Sequence, residues 1–175
     1  MSTTTTALEA DGTGEIALNP IGWDAVLAVE DEPTEDGRLL VRGSTGWRDL
    51  PLSLMGMLET SDYGHVGAKV AGRIDSITRV ANDIASAGEL TSAFGVNELA
   101  PLINDRTVRG VSVDLAVLDW EYRDRETGAT LSEDDLFAYW LEGKESQVLF
   151  AVLEGVIVGA TVCPMPARMW RTPGG

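Results

Sequence analysis

Val108-Arg109-Gly110-Val111-Ser112-Val113-Asp114-Leu115 decides how the rest of this 175-residue chain is read. From Val111 onward the side chains alternate. Val111, Val113, Leu115 and Val117 point one way and Ser112, Asp114 and Ala116 the other, the period of two that a strand with one apolar face requires. Ser112 therefore lies on the face opposite the valines, where a serine is by default only a filler. Its interest comes from the chain's one histidine, His65, set in Asp62-Tyr63-Gly64-His65-Val66-Gly67 just ahead of a second alternating stretch. A serine hydroxyl is a weak nucleophile until a base takes its proton, and a neutral imidazole is the usual base near neutral pH.

Strand signals recur on both sides of this stretch. Before it, Gly22 to Glu30 alternates, Asp31 to Gly37 ends in an Asp-Gly turn signal, and Arg38 to Arg42 reads as the return strand of a hairpin. Trp47 to Met55 is apolar but carries Pro51, which suits a strand's start or an edge. Gly67 to Val80 and Ile84 to Leu90 are strands around an Asn82-Asp83 turn, and Gly95 to Asn104 has helical spacing weakened by Pro101. After the Ser112 strand, which runs to about Tyr122, Ser132 with Glu133, Asp134 and Asp135 marks a helix start followed by a Leu136/Phe137/Trp140/Leu141 stripe. Gln147 to Glu154 and Val156 to Cys163 read as two strands joined at Gly155. The sum predicts a mainly β fold: a mostly antiparallel sheet or barrel with a few helices outside it. Residues 1–20 and 168–175 read as tails around one domain, 21–167.

Composition narrows the function. Net charge is −15, from 13 Lys+Arg against 28 Asp+Glu, with no basic cluster to hold phosphates, so no nucleic-acid partner is expected. One His and one Cys are too few for a typical zinc site, and no metal or cofactor is expected. No segment reaches the roughly 18 apolar residues of a membrane span, and Met1 to Thr6 does not read as a signal peptide. A cytoplasmic setting without membrane attachment is expected. Cys163 beside Pro164 reads as a small buried hydrophobe.

Five stretches, in order, resemble the prohead (capsid maturation) serine proteases of tailed phages, especially those of actinobacteria. They are Pro33 to Arg38, Trp47 to Met55, Gly64 to Ile74 with the histidine, Arg109 to Leu115 with the serine, and Gly159 to Ala167. The resemblance spans about residues 22 to 167. It implies an assemblin-like antiparallel β-barrel with surface helices. It implies a serine endopeptidase acting on major capsid or scaffold protein inside the prohead, in the host cytoplasm. Ser112 would be the nucleophile and His65 the general base, with the amides around Arg109 and Gly110 as candidates for the oxyanion. Many such proteins place an acid in the last strand to orient the histidine; the matching position here is about Gly159. Glu154, the nearest acid, is the preferred third member, with Asp114 as the alternative because it shares a face with Ser112. The alternative to the enzyme is a capsid- or scaffold-associated domain that keeps the fold without the chemistry. The resemblance also makes the Leu136/Phe137/Trp140/Leu141 helix a candidate homodimer face.

Overall fold

A computed structural model describes residues 18–59 and 65–164. The Asp62-Tyr63-Gly64 approach to His65, Pro166-Ala167, and nearly all of both expected tails lie outside the described residues. The strands are β1 (Ile21–Val29), β2 (Arg38–Leu40), β3 (Thr45–Trp47), β4 (Leu52–Gly56), β5 (Lys69–Val80), β6 (Asp83–Leu90), β7 (Gly110–Asp124) and β8 (Val148–Cys163). A turn of π-helix, Phe94–Leu99, runs into α1 (Ala100–Asn104), and α2 (Glu133–Leu141) lies between β7 and β8.

All eight strands form one sheet, and β8 is its axis. One edge of β8 receives β2, β3 and β4 in succession, all parallel to it; the other edge pairs antiparallel with β7. From β4 the sheet continues antiparallel through β5 and β6 to β1. The chain is mainly β and its sheet mostly antiparallel, as expected; the parallel pairings are the three short ones along one edge of β8. Two corrections follow. The chain does turn back after β1, with the Asp31 amide bonded to the Leu40 carbonyl at 2.7 Å, but residues 38–40 form no ladder with β1 and pair with β8 at Arg38↔Phe150 to Leu40↔Val152. Gly155 does not break the last stretch in two. It sits inside one 16-residue strand, where an added Cβ would come within 3.2 Å of the Leu115 and Val152 side chains, so its missing side chain serves packing rather than a turn.

Hydrogen bonding does not close the sheet. β1 pairs only with β6 and β7 only with β8, although the two come near each other. One core nevertheless collects the inward residues of almost the whole sheet, among them Trp23, Leu27, Leu54, Ile74, Ile84, Leu90, Val111 and Ile157. Phe94, Leu99 and Ile103 of the helical segment add to it. Gly56 lets them in: a Cβ there would lie 2.7 Å from Leu99 and 2.9 Å from Phe94. Pro101 is tolerated because it falls in the first turn of α1, where its missing N–H costs nothing.

Two polar knots hold the periphery. Glu30, just past β1 and fully buried, accepts hydrogen bonds from Arg79 Nε at 2.9 Å and from the Gly43 amide at 3.0 Å. Arg79 also donates to the Thr45 carbonyl. Burial by itself would raise the Glu30 carboxyl, but the bonds from Arg79 and Gly43 outweigh it and hold it below the usual carboxylate range. At the other end, Asp124 accepts from the Thr127 amide at 2.6 Å, the Thr127 hydroxyl at 2.7 Å and Tyr139 Oη at 2.9 Å, pinning the 124–128 turn and α2 to β7. These bonds favour the ionised form and depress Asp124 from 3.8 to about 2.

A group with a depressed folded pKa stabilises the fold above its ordinary pKa, and that contribution disappears as pH falls through the depressed value. Wild-type stability, measured by urea unfolding, should therefore fall between pH 4 and 2, and Asp124→Asn should flatten that part of the profile. Glu30→Ala at pH 7 leaves Arg79 without its buried partner and should cost about 3 kcal/mol in the same assay.

Candidate active site

The outward face of the β7–β8 pair carries the candidate site. Register sets Ser112 opposite Thr161 and Asp114 opposite Gly159. Val111, Val113 and Leu115 turn inward to the core, so Ser112 and Asp114 share the outer face, as the alternation predicts. On the far side of β8, β4 lies alongside the same residues, with Ser53 beside Gly159 and Met55 beside Thr161. After β4 the chain follows the end of β8, with the Met57 amide bonded to the Val162 carbonyl at 2.9 Å. The loop from β4 to β5 then delivers His65 to this face. Gly67, at φ +87°, and a bond from the Ala68 amide to the His65 carbonyl shape the turn that follows.

His65 Nδ1 and Asp114 Oδ1 are 2.7 Å apart. A carboxylate only accepts, so Nδ1 donates, and in the neutral ring Nε2 keeps its lone pair. The second carboxylate oxygen, Oδ2, accepts from Thr161 Oγ1 at 3.3 Å, and Thr161 is buried. Both oxygens of Asp114 are thus engaged. Gly159 packs close to β4, where an added Cβ would lie 3.1 Å from the Ser53 carbonyl oxygen and at an ordinary contact distance, 3.4 Å, from Asp114 Oδ2. Side-chain exposures of 32% for His65 and 28% for Asp114 leave the ring within reach of solvent.

The acid that binds the histidine is Asp114, not Glu154. Glu154 is exposed opposite Asp119, five positions along β8 from Gly159 and so roughly 16 Å away. The position at 159 indeed holds no carboxylate, but the residue facing it across the ladder supplies one. Thr161 was not anticipated. Its role depends on being opposite Ser112, and nothing in the local pattern fixes that register.

Ser112 is half-buried, and its hydroxyl makes no hydrogen bond among the described residues, to His65 or otherwise. It stands two residues from Asp114 on one strand face, a spacing of roughly 7 Å. An imidazole hydrogen-bonded at both ends covers a similar span. A groove of about 350 Å³ opens beside Ser112 between the unpaired edges of β1 and β7, walled by Leu27, Val29, Leu115 and Phe150 together with Glu32 and Arg38. Arg109 is exposed just before β7, its guanidinium bonded to the Arg106 carbonyl at 2.7 Å, and Gly110 opens the strand opposite Cys163. Cys163 is buried and is not in a disulfide. No group of three His, Cys, Asp or Glu side chains among the described residues is placed to hold a metal ion. No helix among them is long and apolar enough to cross a membrane. No known protein family, curated protein or solved structure matches the chain.

His65 is the only histidine, so its ring nitrogens can be followed without ambiguity. At a pH where the ring is neutral, ¹⁵N chemical shifts should show the proton mainly on Nδ1. Asp114→Ala should shift the population toward the Nε2–H form, while Glu154→Gln should leave it unchanged.

Proposed function

We propose that this chain is a serine endopeptidase of the phage prohead-maturation type, cleaving capsid or scaffold protein inside the assembling head. Ser112 is the nucleophile, His65 the general base and Asp114 the acid that orients it. The bond between His65 Nδ1 and Asp114, on the strand face that carries Ser112, is the observation that carries this reading. Pairing Nδ1 with a carboxylate holds the imidazole in the form whose Nε2 can take a proton from a hydroxyl, and stabilises the imidazolium that results.

In the mechanism this supports, substrate entry brings the Ser112 hydroxyl to Nε2. Oγ attacks the scissile carbonyl as Nε2 accepts its proton. The imidazolium then passes that proton to the leaving amine, and a water repeats the sequence to release the acyl group. Amides at the start of β7, around Arg109 and Gly110, are the nearest donors in sequence for the oxyanion. The assemblin-like barrel belongs to this proposal: the approach of the β1 and β7 edges over a common core supports it. A second reading, a capsid- or scaffold-associated domain without catalysis, is favoured by one observation, the absence of a Ser112–His65 hydrogen bond.

Co-expression with the neighbouring capsid or scaffold protein, read by intact mass, separates the two. Cleavage is expected with the wild type and none with Ser112→Ala or His65→Ala. Asp114→Asn should slow cleavage by roughly 10³- to 10⁴-fold, and Glu154→Gln should be indistinguishable from wild type. Assembled shells with intact substrate in every sample would favour the non-catalytic reading.

A further inference from the structure

Far from His65, the distal half of the β7–β8 pair carries an aromatic surface that the proposed chemistry does not use. Trp120 stacks on Phe150 with centroids 5.1 Å apart and meets Tyr122 edge-on at 5.0 Å. A cleft of about 390 Å³ separates this cluster from α2, walled by Tyr122, Phe150, Tyr139 and Trp140 and bounded by Asp36 and Glu145. Beyond it Trp140 stacks on Phe137, and these two with Leu141 are 61–65% exposed. α2 buries no residue at all. Glu145 has no ion-pair or side-chain hydrogen-bond partner among the described residues, and the first turn of α2 adds Glu133, Asp134 and Asp135. Asp36 is already paired with Arg38 at 3.2 Å, which leaves Glu145 and the acids of α2; aromatic faces beside such carboxylates suit a cationic segment with apolar anchors, which gains cation–π and charge-assisted contacts together.

The chain itself contains such a segment. In a protein of net charge −15, residues 165–175, Met165-Pro166-Ala167-Arg168-Met169-Trp170-Arg171-Thr172-Pro173-Gly174-Gly175, hold two arginines, two methionines and a tryptophan, and no acid. Chain length forbids its docking within one molecule. The cleft lies at the Val148 end of β8 and the segment leaves from the Cys163 end, about 50 Å away along 15 residues of strand. From Pro164 to Arg171 even a fully extended chain spans only about 25 Å. We infer that the 165–175 segment of one copy docks in the α2–β7–β8 aromatic cleft of a second copy, Arg168 and Arg171 facing Glu145 and the acids of α2, with Trp170 among the rings. Each molecule offers one tail and one cleft, so association closes into a reciprocal dimer or a ring where the geometry allows and continues as an open chain where it does not. It does not depend on whether Ser112 is a nucleophile.

Sedimentation velocity of the full-length chain over a concentration series tests it, with one variant altered only in the tail (Arg168→Glu/Arg171→Glu) and one only in the cleft (Trp140→Ser/Glu145→Lys). The wild type should associate into dimers or larger species as concentration rises, less so at high salt. Each variant alone should associate at least roughly tenfold more weakly. Mixed in equal amounts, they should form a complex that stops at one copy of each, because one retains only a cleft and the other only a tail. The tail variant leaves every described residue untouched, so a folding defect in the cleft variant cannot mimic the result. A wild type that stays monomeric throughout, or a dimer that persists in the tail variant, would overturn the inference.

Discussion

The fold depends on one strand having both of its edges satisfied. β8 is largely buried, so its backbone N–H and C=O groups cannot turn to water, and leaving them unpaired would cost more than any single side-chain contact returns. Four strands meet that demand, β7 along the whole of one edge and β2, β3 and β4 in sequence along the other. The three parallel partners cannot be joined to β8 by tight turns, which is why they come from the first third of the chain. Where β8 passes between them, Gly155 admits the Leu115 side chain of β7 and Gly159 admits the backbone of β4 at Ser53.

That register also builds the site. Asp114 has both oxygens engaged because it lies across from Gly159 and diagonal to Thr161, and His65 reaches it because β4 ends alongside the same part of β8. A slip of one residue between β7 and β8 would send Asp114 toward the core and Val113 out to the histidine. The Glu30–Arg79 and Asp124–Tyr139 knots do the remaining work at the periphery. The first ties the end of β1 to β5 and to the turn before β3; the second ties α2 to the distal end of β7. Because α2 is held by its cap and a single tyrosine rather than by an apolar face, its phenylalanine and tryptophan remain outside.

The local signals were legible wherever one interaction range sufficed. The alternation from Val111, the helix start at Ser132 with its capping box to Asp135, and the approximate bounds of β1, β5, β6 and β7 all depend on neighbours within a few residues. Gly155 misled because glycine marks a turn as readily as it marks a close approach between strands, and only the position of Leu115 tells the two apart. β2 misled for a similar reason: an Asp-Gly turn signal favours a hairpin, and the chain does turn back there, but the strand it delivers ladders with β8 rather than with β1.

Sequence by itself determined the class of the fold, the face on which Ser112 stands, and the two residues worth testing first, because alternation and the uniqueness of a single histidine are written in one dimension. Only the tertiary structure decided which acid serves that histidine. Asp114 and Glu154 are both acids on strands, and nearness to Gly159 along the chain favours Glu154, the one the fold keeps away. The choice is made by the ladder, which puts one carboxylate 2.7 Å from the imidazole and leaves the other exposed, five residues further along β8.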